Sequence, residues 1–140
     1  MSFLLDTNVV SEWTKPRPDA GVVQWLAEAD EDRVFLSVVT VAEVRYGIER
    51  MPMGARRERL NSWLTVELPR RFEGRILLVT PEVADGWGKV MAQGRAVGRP
   101  ISAMDALIAA TASQHELSLV TRNVSDFEAF DIPVVNPWSD

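Results

Sequence analysis

Four acidic residues stand where an α/β fold would bring them to one edge of its sheet: Asp6, Glu43, Asp105 and Asp126. Asp6 directly follows an apolar run at 3–5 that is typical of a buried strand. Glu43 comes six residues after a second such run, and Asp126 comes five residues after the run LSLVT at 117–121. Asp105 falls in the first turn of a helix that Ser102 would open. Ligand sites in such folds lie outside the carboxyl ends of the strands, so these carboxylates are candidates for a shared site.

Each acid also has a purely structural interpretation. Three of them follow a possible helix-capping residue by three positions, in the pairs Thr40 and Glu43, Ser102 and Asp105, and Asn123 and Asp126. In this pattern a side chain at the helix start and an acid three residues later satisfy free backbone amides. Asp6 could likewise cap a helix beginning at residue 7 or 8. Taken singly, each acid fits a helix cap better than it fits a site.

Taken together, the four acids indicate a metal site. Carboxylates brought close to one another raise each other's pKa unless a cation joins them. Oxygen ligands select Mg²⁺, with Mn²⁺ as a substitute, whereas zinc prefers nitrogen or sulfur. The chain has no Cys, and its one His, His115, stands at a predicted helix end. The expected cofactor is therefore Mg²⁺.

A carboxylate-bound Mg²⁺ can polarise a phosphate, activate water and stabilise a leaving oxygen, which are the requirements of phosphoester cleavage. Polar residues beside the acids could orient water or phosphate, or simply cap helices. They are Thr7, Asn8, Thr121 and Asn123. One ion or two would suit four acids equally well.

Composition excludes several other chemistries. Without Cys there are no disulfides and no thiol nucleophile, and one His cannot supply a histidine pair. Neither a Gly-x-Ser-x-Gly turn nor a P-loop is present. The 140 residues, 46% of them hydrophobic, predict a single domain spanning 1–140. No leader or membrane-spanning run is evident, so we expect a cytoplasmic protein with no membrane partner.

Charge is distributed unevenly along the chain. The net charge is −5, but residues 45–75 hold eight Arg and four Glu, giving +4 there and −9 elsewhere. Such a segment is either a pair of helices with salt-bridged faces or a surface that faces a polyanion. The sequence leaves both open.

The pattern of apolar runs predicts strands at 3–5, 33–37, 75–80, 117–121 and 132–135. Helices are predicted between them, including one from Thr40 to about residue 51, one over 55–68, one opened by Thr80 and Pro81, and one opened by Ser102. Strands that alternate with helices predict an α/β fold, with a central parallel sheet covered on both faces.

Four segments, in this order, resemble the PIN-domain ribonucleases and, within them, the VapC-like toxins of toxin–antitoxin pairs. They are LLDTNVVSE at 4–12, SVVTVAEVRYGIE at 37–49, ISAMDALIAATA at 101–112 and LVTRNVSDF at 119–127, followed by VVNPW at 134–138. The resemblance implies an α/β/α sandwich with a Mg²⁺ site formed by Asp6, Glu43, Asp105 and Asp126. It also implies cleavage of structured RNA.

The same resemblance implies a small antitoxin whose tail occupies the groove near the acids, a toxin homodimer and a toxin–antitoxin hetero-oligomer. A basic tail would complement an acidic groove. No helix-turn-helix is evident, so operator DNA would be contacted only through the antitoxin. Two alternatives stay open: a non-catalytic subunit that assembles a DNA-binding repressor with its antitoxin, and a DNA-directed nuclease.

Overall fold

The computed structural model describes residues 1–139 and is built on one five-stranded sheet with the order β3-β2-β1-β4-β5. Its strands are β1 (Phe3–Leu5), β2 (Val34–Ser37), β3 (Ile76–Leu77), β4 (Ser118–Val120) and β5 (Val134–Val135). All neighbouring pairs are parallel, and Phe3 of the central strand pairs with Val34 on one side and Ser118 on the other. The carboxyl ends of the strands therefore share one edge.

Helices connect the strands. They are α1 (Thr7–Glu12), α2 (Ala20–Glu28), α3 (Val38–Glu49), α4 (Ala55–Ser62), α5 (Leu68–Arg71), α6 (Pro81–Ala96), α7 (Ala103–Gln114) and α8 (Val124–Phe127). A 3₁₀ turn at Glu31–Arg33 precedes β2, and a π-helical stretch at Trp63–Glu67 joins α4 to α5. Within residues 1–139 no helix is both long enough and apolar enough to cross a bilayer.

Successive residues of β1 bury their side chains on opposite faces of the sheet. Leu4 packs in a cluster with Ile108 and Phe127, whereas Leu5 packs in a second cluster with Val10 and Phe72. This alternation follows from the two-residue period of a strand, and both leucines are fully buried. The sheet is thus covered on both faces, which confirms the predicted α/β/α sandwich.

The structure corrects the predicted start of α3. The helix begins at Val38, where the Ser37 hydroxyl caps it by accepting a hydrogen bond from the Val39 amide at 3.0 Å. Thr40 therefore lies inside the helix, and Glu43 lies in its second turn. The predicted capping box at Thr40 and Glu43 was wrong because Ser37, the last strand residue, reaches the free amides first.

Two other element boundaries also differ. The strand predicted over 75–80 pairs only at Ile76–Leu77, and the next two residues, Leu78 and Val79, are exposed. The helix predicted over 55–68 changes to π-helical geometry at Trp63–Glu67 before it ends at Arg71. By contrast, Thr80 and Ser102 cap α6 and α7 as predicted.

Glu12 is a buried acid with a structural role. Its Oε1 accepts a hydrogen bond from the Asp19 amide at 2.9 Å, and its Oε2 is ion-paired with Lys15. Burial raises the pKa of the Glu12 carboxyl, but the Lys15 ammonium and the Asp19 amide outweigh it and hold the pKa below its ordinary value. Glu12 thereby fixes the turn that leads from α1 into α2.

Asp19 joins the start of α2 to the C-terminal segment. Its Oδ1 accepts hydrogen bonds from the amides of Gly21 and Val22, at 2.8 and 3.1 Å, and so caps the helix. Its Oδ2 accepts a hydrogen bond from the Ser139 hydroxyl at 2.7 Å. The backbone of Pro137 passes so close to Gly21 that a Cβ there would collide with it. The C-terminal segment is therefore part of the packed structure.

The burial of β1 predicts how a substitution in this strand changes the free energy of unfolding. Leu4→Ala removes a fully buried side chain and should lower the free energy of unfolding by about 2–5 kcal/mol, whereas Leu78→Ala, at 65% exposure, should change it by less than about 0.5 kcal/mol. Urea denaturation of both variants provides the measurement. Equal losses in the two variants would contradict the packing described for β1.

Candidate active site

Asp6 occupies the turn between β1 and α1 and serves two structural partners with one carboxylate. Its amide donates to the Val120 carbonyl at 2.9 Å, which continues the pairing of β1 with β4. Its Oδ1 accepts from the Thr7 amide at 2.8 Å, and its Oδ2 accepts from the Thr121 hydroxyl at 2.8 Å. Asp6 is 5% exposed. It therefore caps α1, as one interpretation predicted, and still presents its second oxygen to the end of β4.

The hydrogen bonds of the Thr121 hydroxyl fix its proton on Asp6. It accepts hydrogen bonds from the Asn8 side-chain amide at 3.2 Å and from the Asn123 backbone amide at 3.0 Å. A hydroxyl has two lone pairs and one proton, so its proton must go to Asp6. Thr121 and Asn8 thus act on the carboxylate through their side chains, whereas Asn123 acts through its backbone and makes no side-chain cap on α8.

Glu43 reaches the same region from α3. Its Oε1 accepts a hydrogen bond from the Thr7 hydroxyl at 2.7 Å, and that hydroxyl lies 3.4 Å from the hydroxyl of Thr40. Because Glu43 lies in the second turn of α3, it does not cap that helix, and the capping interpretation is excluded for this acid. Thr7 therefore ties Glu43 to the start of α1, directly beside Asp6.

Asp105 and Asp126 line a pocket of about 300 Å³ at the starts of α7 and α8. The Asp105 amide donates to the Ser102 hydroxyl at 3.2 Å, so the hydroxyl half of the predicted capping box is present. Arg99 and Ser125 line the pocket as well. Sequence reasoning missed Arg99, although its position between Gly98 and Pro100, in the link between two helices, marks a constrained turn.

Electrostatic repulsion connects the four acids in a row. Burial raises the pKa of Asp6 to about 6, hydrogen bonds from Thr121 and Thr7 oppose this, and the charges of Asp105 and Glu43 add to it. Burial also raises the pKa of Asp105, the Ser102 hydroxyl opposes it, and the charge of Asp126 adds to it. We call these four carboxylates the acidic row; neighbours in it follow the order Glu43, Asp6, Asp105 and Asp126. Within residues 1–139 none of the four is ion-paired with Lys or Arg.

The acidic row suits a hard cation in its chemistry. All its donors are carboxylate or hydroxyl oxygens, the ligands that Mg²⁺ prefers. In the described part of the chain, no three acidic or His side chains converge on one point where they could hold an ion. This arrangement fits Mg²⁺, which is usually held by one or two carboxylates and completes its shell with water and phosphate oxygens. The structure thus offers a row of oxygens and not a closed cage.

The chain that has this fold and this acidic edge also matches a known protein family. A family model described as PIN domain matches residues 3–132. The chain belongs to the PIN domain family. All four carboxylates of the acidic row lie within the matched residues. The family predicted from the four sequence segments is confirmed.

Relatives of this PIN domain cover nearly its whole length. It is 40% identical to Toxin FitB of Neisseria gonorrhoeae over 138 residues, which are 99% of each chain. It is 38% identical to VapC ribonuclease Y4jK of Sinorhizobium fredii over 136 residues, which are 97% of each chain. The solved structure of FitAB bound to an IR36 DNA fragment superposes with a TM-score of 0.92 at 38% identity, covering 99% of this chain and 96% of that chain. These proteins confirm the likeness to VapC-like toxins.

The raised pKa of Asp6 predicts how stability depends on pH. The folded-state pKa of about 6 exceeds the ordinary 3.8, so between these values the native state holds a proton that the unfolded chain releases. This contribution is complete below about pH 4 and is lost as the pH rises through about 6, and it amounts to at most about 3 kcal/mol.

Urea denaturation in EDTA, from pH 4 to 8, of the native protein and Asp6→Asn measures this effect. The stability of the native protein relative to the variant should fall as the pH rises through that window. A difference that stays constant, or one that grows with pH, would show that Asp6 is ionised throughout.

Proposed function

We propose that this chain is a Mg²⁺-dependent endoribonuclease that serves as the toxin of a toxin–antitoxin pair and is inhibited by its antitoxin. The observation that carries the proposal is the acidic row at the carboxyl edge of a PIN domain sheet, in which the charges of Glu43 and Asp105 act on Asp6 and that of Asp126 acts on Asp105. The names of two close relatives, a toxin and a VapC ribonuclease, support it. Four like charges at one edge destabilise a fold, so their presence calls for a cation or a cationic partner.

In this proposal Asp6 and Asp105 hold the cation, Glu43 binds it or orients a water, and Asp126 supports it directly or through water. When bound, Mg²⁺ polarises the scissile phosphate, lowers the pKa of water and stabilises the leaving oxygen. The site would work with one ion or two.

The chain's own side chains prepare these oxygens for their work. Thr121 donates to Asp6 Oδ2 and Thr7 donates through its amide to Asp6 Oδ1, which fixes the carboxylate plane. The Thr7 hydroxyl occupies Glu43 Oε1. Glu43 Oε2 accepts no hydrogen bond from the described residues, so it is free to accept one from a water held for attack on phosphorus.

The partner implied by this site is an antitoxin with a cationic side chain that reaches the acidic row. Such a side chain would neutralise the same charges that the metal neutralises, so inhibition and metal binding would compete. We expect a hetero-oligomer, with toxin homodimers within it, that contacts operator DNA only through the antitoxin. We expect the protein to act in the cytoplasm, where its RNA substrate and its antitoxin would be found.

A second candidate function is assembly of a DNA-binding repressor without catalysis. The similarity to FitAB bound to a DNA fragment favours it. The presence of all four acids favours the enzyme, since a subunit that only assembles would be free to lose those that its partner does not contact. A DNA-directed nuclease is the third alternative, and substrate comparison separates it from the first.

Asp105→Asn should reduce Mg²⁺-dependent cleavage of a folded RNA by more than about a hundredfold, while thermal stability changes by no more than about 1 kcal/mol. Asp85→Asn, which removes an exposed carboxylate from α6, is the matched control and should retain full activity. Cleavage of labelled RNA and of single-stranded DNA of the same sequence is followed on gels, with and without EDTA. Full activity in Asp105→Asn or in EDTA would refute the mechanism, and preferential cleavage of DNA would favour the DNA-directed alternative.

Binding of Mg²⁺ can be tested without catalysis. A ligand that binds only the native state raises its stability by about 2.7 kcal/mol at a hundred times its Kd, so saturating Mg²⁺ should raise the Tm of the native protein at pH 7.5. Asp6→Asn and Asp105→Asn should lose most of this shift, and Asp85→Asn should keep it. Since protons compete for Asp6, the shift should shrink below about pH 6. An equal shift in all four proteins would place the metal elsewhere.

A further inference from the structure

The pocket beside Asp105 and Asp126 is not uniformly acidic, because Arg99 lines it as well. Among the described residues that form this pocket, Arg99 is the one that carries a positive charge. Its side chain is 48% exposed, so it is accessible to a ligand in the pocket. A guanidinium beside two carboxylates needs an explanation, since it forms no ion pair with either of them.

The backbone that carries Arg99 is tightly constrained. Helix α6 ends in a Schellman-type motif in which the Arg99 amide donates to the Gly94 carbonyl at 2.8 Å and the Gly98 amide donates to the Arg95 carbonyl at 3.2 Å. Gly98 has a φ of +71°, a conformation that L side chains rarely adopt. A Cβ on Gly94 would lie 2.8 Å from the Arg99 carbonyl oxygen. Two glycines and Pro100 therefore fix where Arg99 leaves the helix.

The guanidinium is also positioned by α8. Its Nη2 donates to the Ser125 carbonyl at 2.7 Å, and the same atom lies 3.7 Å from Glu128 Oε2. Ser125 directly precedes Asp126, so the contact holds Arg99 next to an acid of the row. The ion pair with Glu128 is long and exposed and therefore weak. Apart from Nη2, no side-chain nitrogen of Arg99 has a partner among the described residues.

Four of the eight arginines in the segment 45–75 do not offer the same arrangement. Arg45 and Arg57 are paired with Glu49, and Arg71 is paired with Glu31. Arg75 donates to the backbone carbonyls of Val34 in β2 and Arg71 in α5. These four side chains are thus used within the fold, and the salt-bridged interpretation holds for three of them, Arg45, Arg57 and Arg71.

We propose that Arg99 binds a phosphate of the RNA chain adjacent to the phosphate that is cleaved; this inference rests on the proposed function. The acidic row repels a polyanion, and a guanidinium at the pocket rim offsets that repulsion where the nucleic acid enters. Arginine binds phosphate through two parallel N–H donors, which orients the chain as well as attracting it. The Ser125 carbonyl holds the guanidinium in the absence of RNA, and the weakly paired Glu128 carboxylate competes with phosphate for it.

The experiment uses Asp105→Asn as a non-cleaving background and a fluorescein-labelled RNA oligonucleotide, with binding read by fluorescence anisotropy at several salt concentrations. Adding Arg99→Gln should weaken RNA binding roughly tenfold. It should also make the negative slope of log K against log salt shallower by about 0.7, the value for one single-strand phosphate contact. Arg99→Lys should recover part of the affinity. Arg95→Gln removes the same charge four residues earlier, in the last turn of α6. It is the matched control and should leave RNA affinity within about twofold.

Glu128→Gln separates phosphate binding from a structural role. If Arg99 binds phosphate, removing its competing carboxylate should tighten RNA binding about twofold to threefold. If Arg99 only holds α8 in place, Glu128→Gln should weaken binding in the same direction as Arg99→Gln, which would overturn the proposal. Steady-state cleavage with Mg²⁺ adds a check, because Arg99→Gln in the native background should raise KM more than it lowers kcat.

The result also distinguishes this inference from the proposed function. If the background variant binds the RNA and Arg99→Gln binds it equally well with an unchanged salt slope, the inference about Arg99 fails and the nuclease proposal stands. If the background variant binds no RNA at all, and the native protein cleaves none, the proposed function itself fails. Circular dichroism and Tm of each variant show whether a loss reflects unfolding.

Discussion

The hydrogen bond between Thr121 and Asp6 is the contact on which the site depends. It joins the ends of β1 and β4, which are adjacent in the sheet but 115 positions apart in sequence. Because the remaining bonds of the Thr121 hydroxyl are occupied, the contact demands an acceptor at position 6. An amide there would satisfy either the Thr7 amide or the Thr121 hydroxyl, but not both. Asp6 is therefore an acid for structural as well as chemical reasons.

This dual role explains how the fold tolerates its acidic row. Hydrogen bonds to the ionised carboxylates of Asp6 and Asp105 oppose the cost of burying them, but they do not cancel it. The deficit is offset elsewhere, by two apolar clusters that cover both faces of the sheet and contain fully buried side chains such as Leu36, Phe72 and Phe127. The packed layers of the sandwich stabilise the fold, so the carboxyl edge of the sheet can carry acids that lower its stability.

The sequence predicted much of this architecture, because periodicity and helix caps are local signals. The parallel sheet and the capped starts of α6 and α7 followed from them, whereas the PIN domain family was predicted from the resemblance of four sequence segments. Glu43 shows where local signals fail. Its spacing from Thr40 matches a capping box, but Ser37 takes the cap, and only the tertiary contact with Thr7 reveals the true environment of Glu43. Arg99 was missed because its significance lies in the α8 residues beside it, which are distant in sequence.

Strand order has a further consequence for the time at which the site can form during synthesis. Of the five strands of this sheet, β1 is made before the others and lies in the middle of the sheet, and its neighbour β4 is made more than a hundred residues later. Protein synthesis proceeds at roughly 5–20 residues per second, so Asp6 waits several seconds before Thr121 can orient it. The acidic row, with Asp6 oriented by Thr121, is accordingly incomplete until the chain has been translated past Asp126. The order of synthesis thus delays assembly of the acidic row, which forms only when segments from both ends of the described domain have been made.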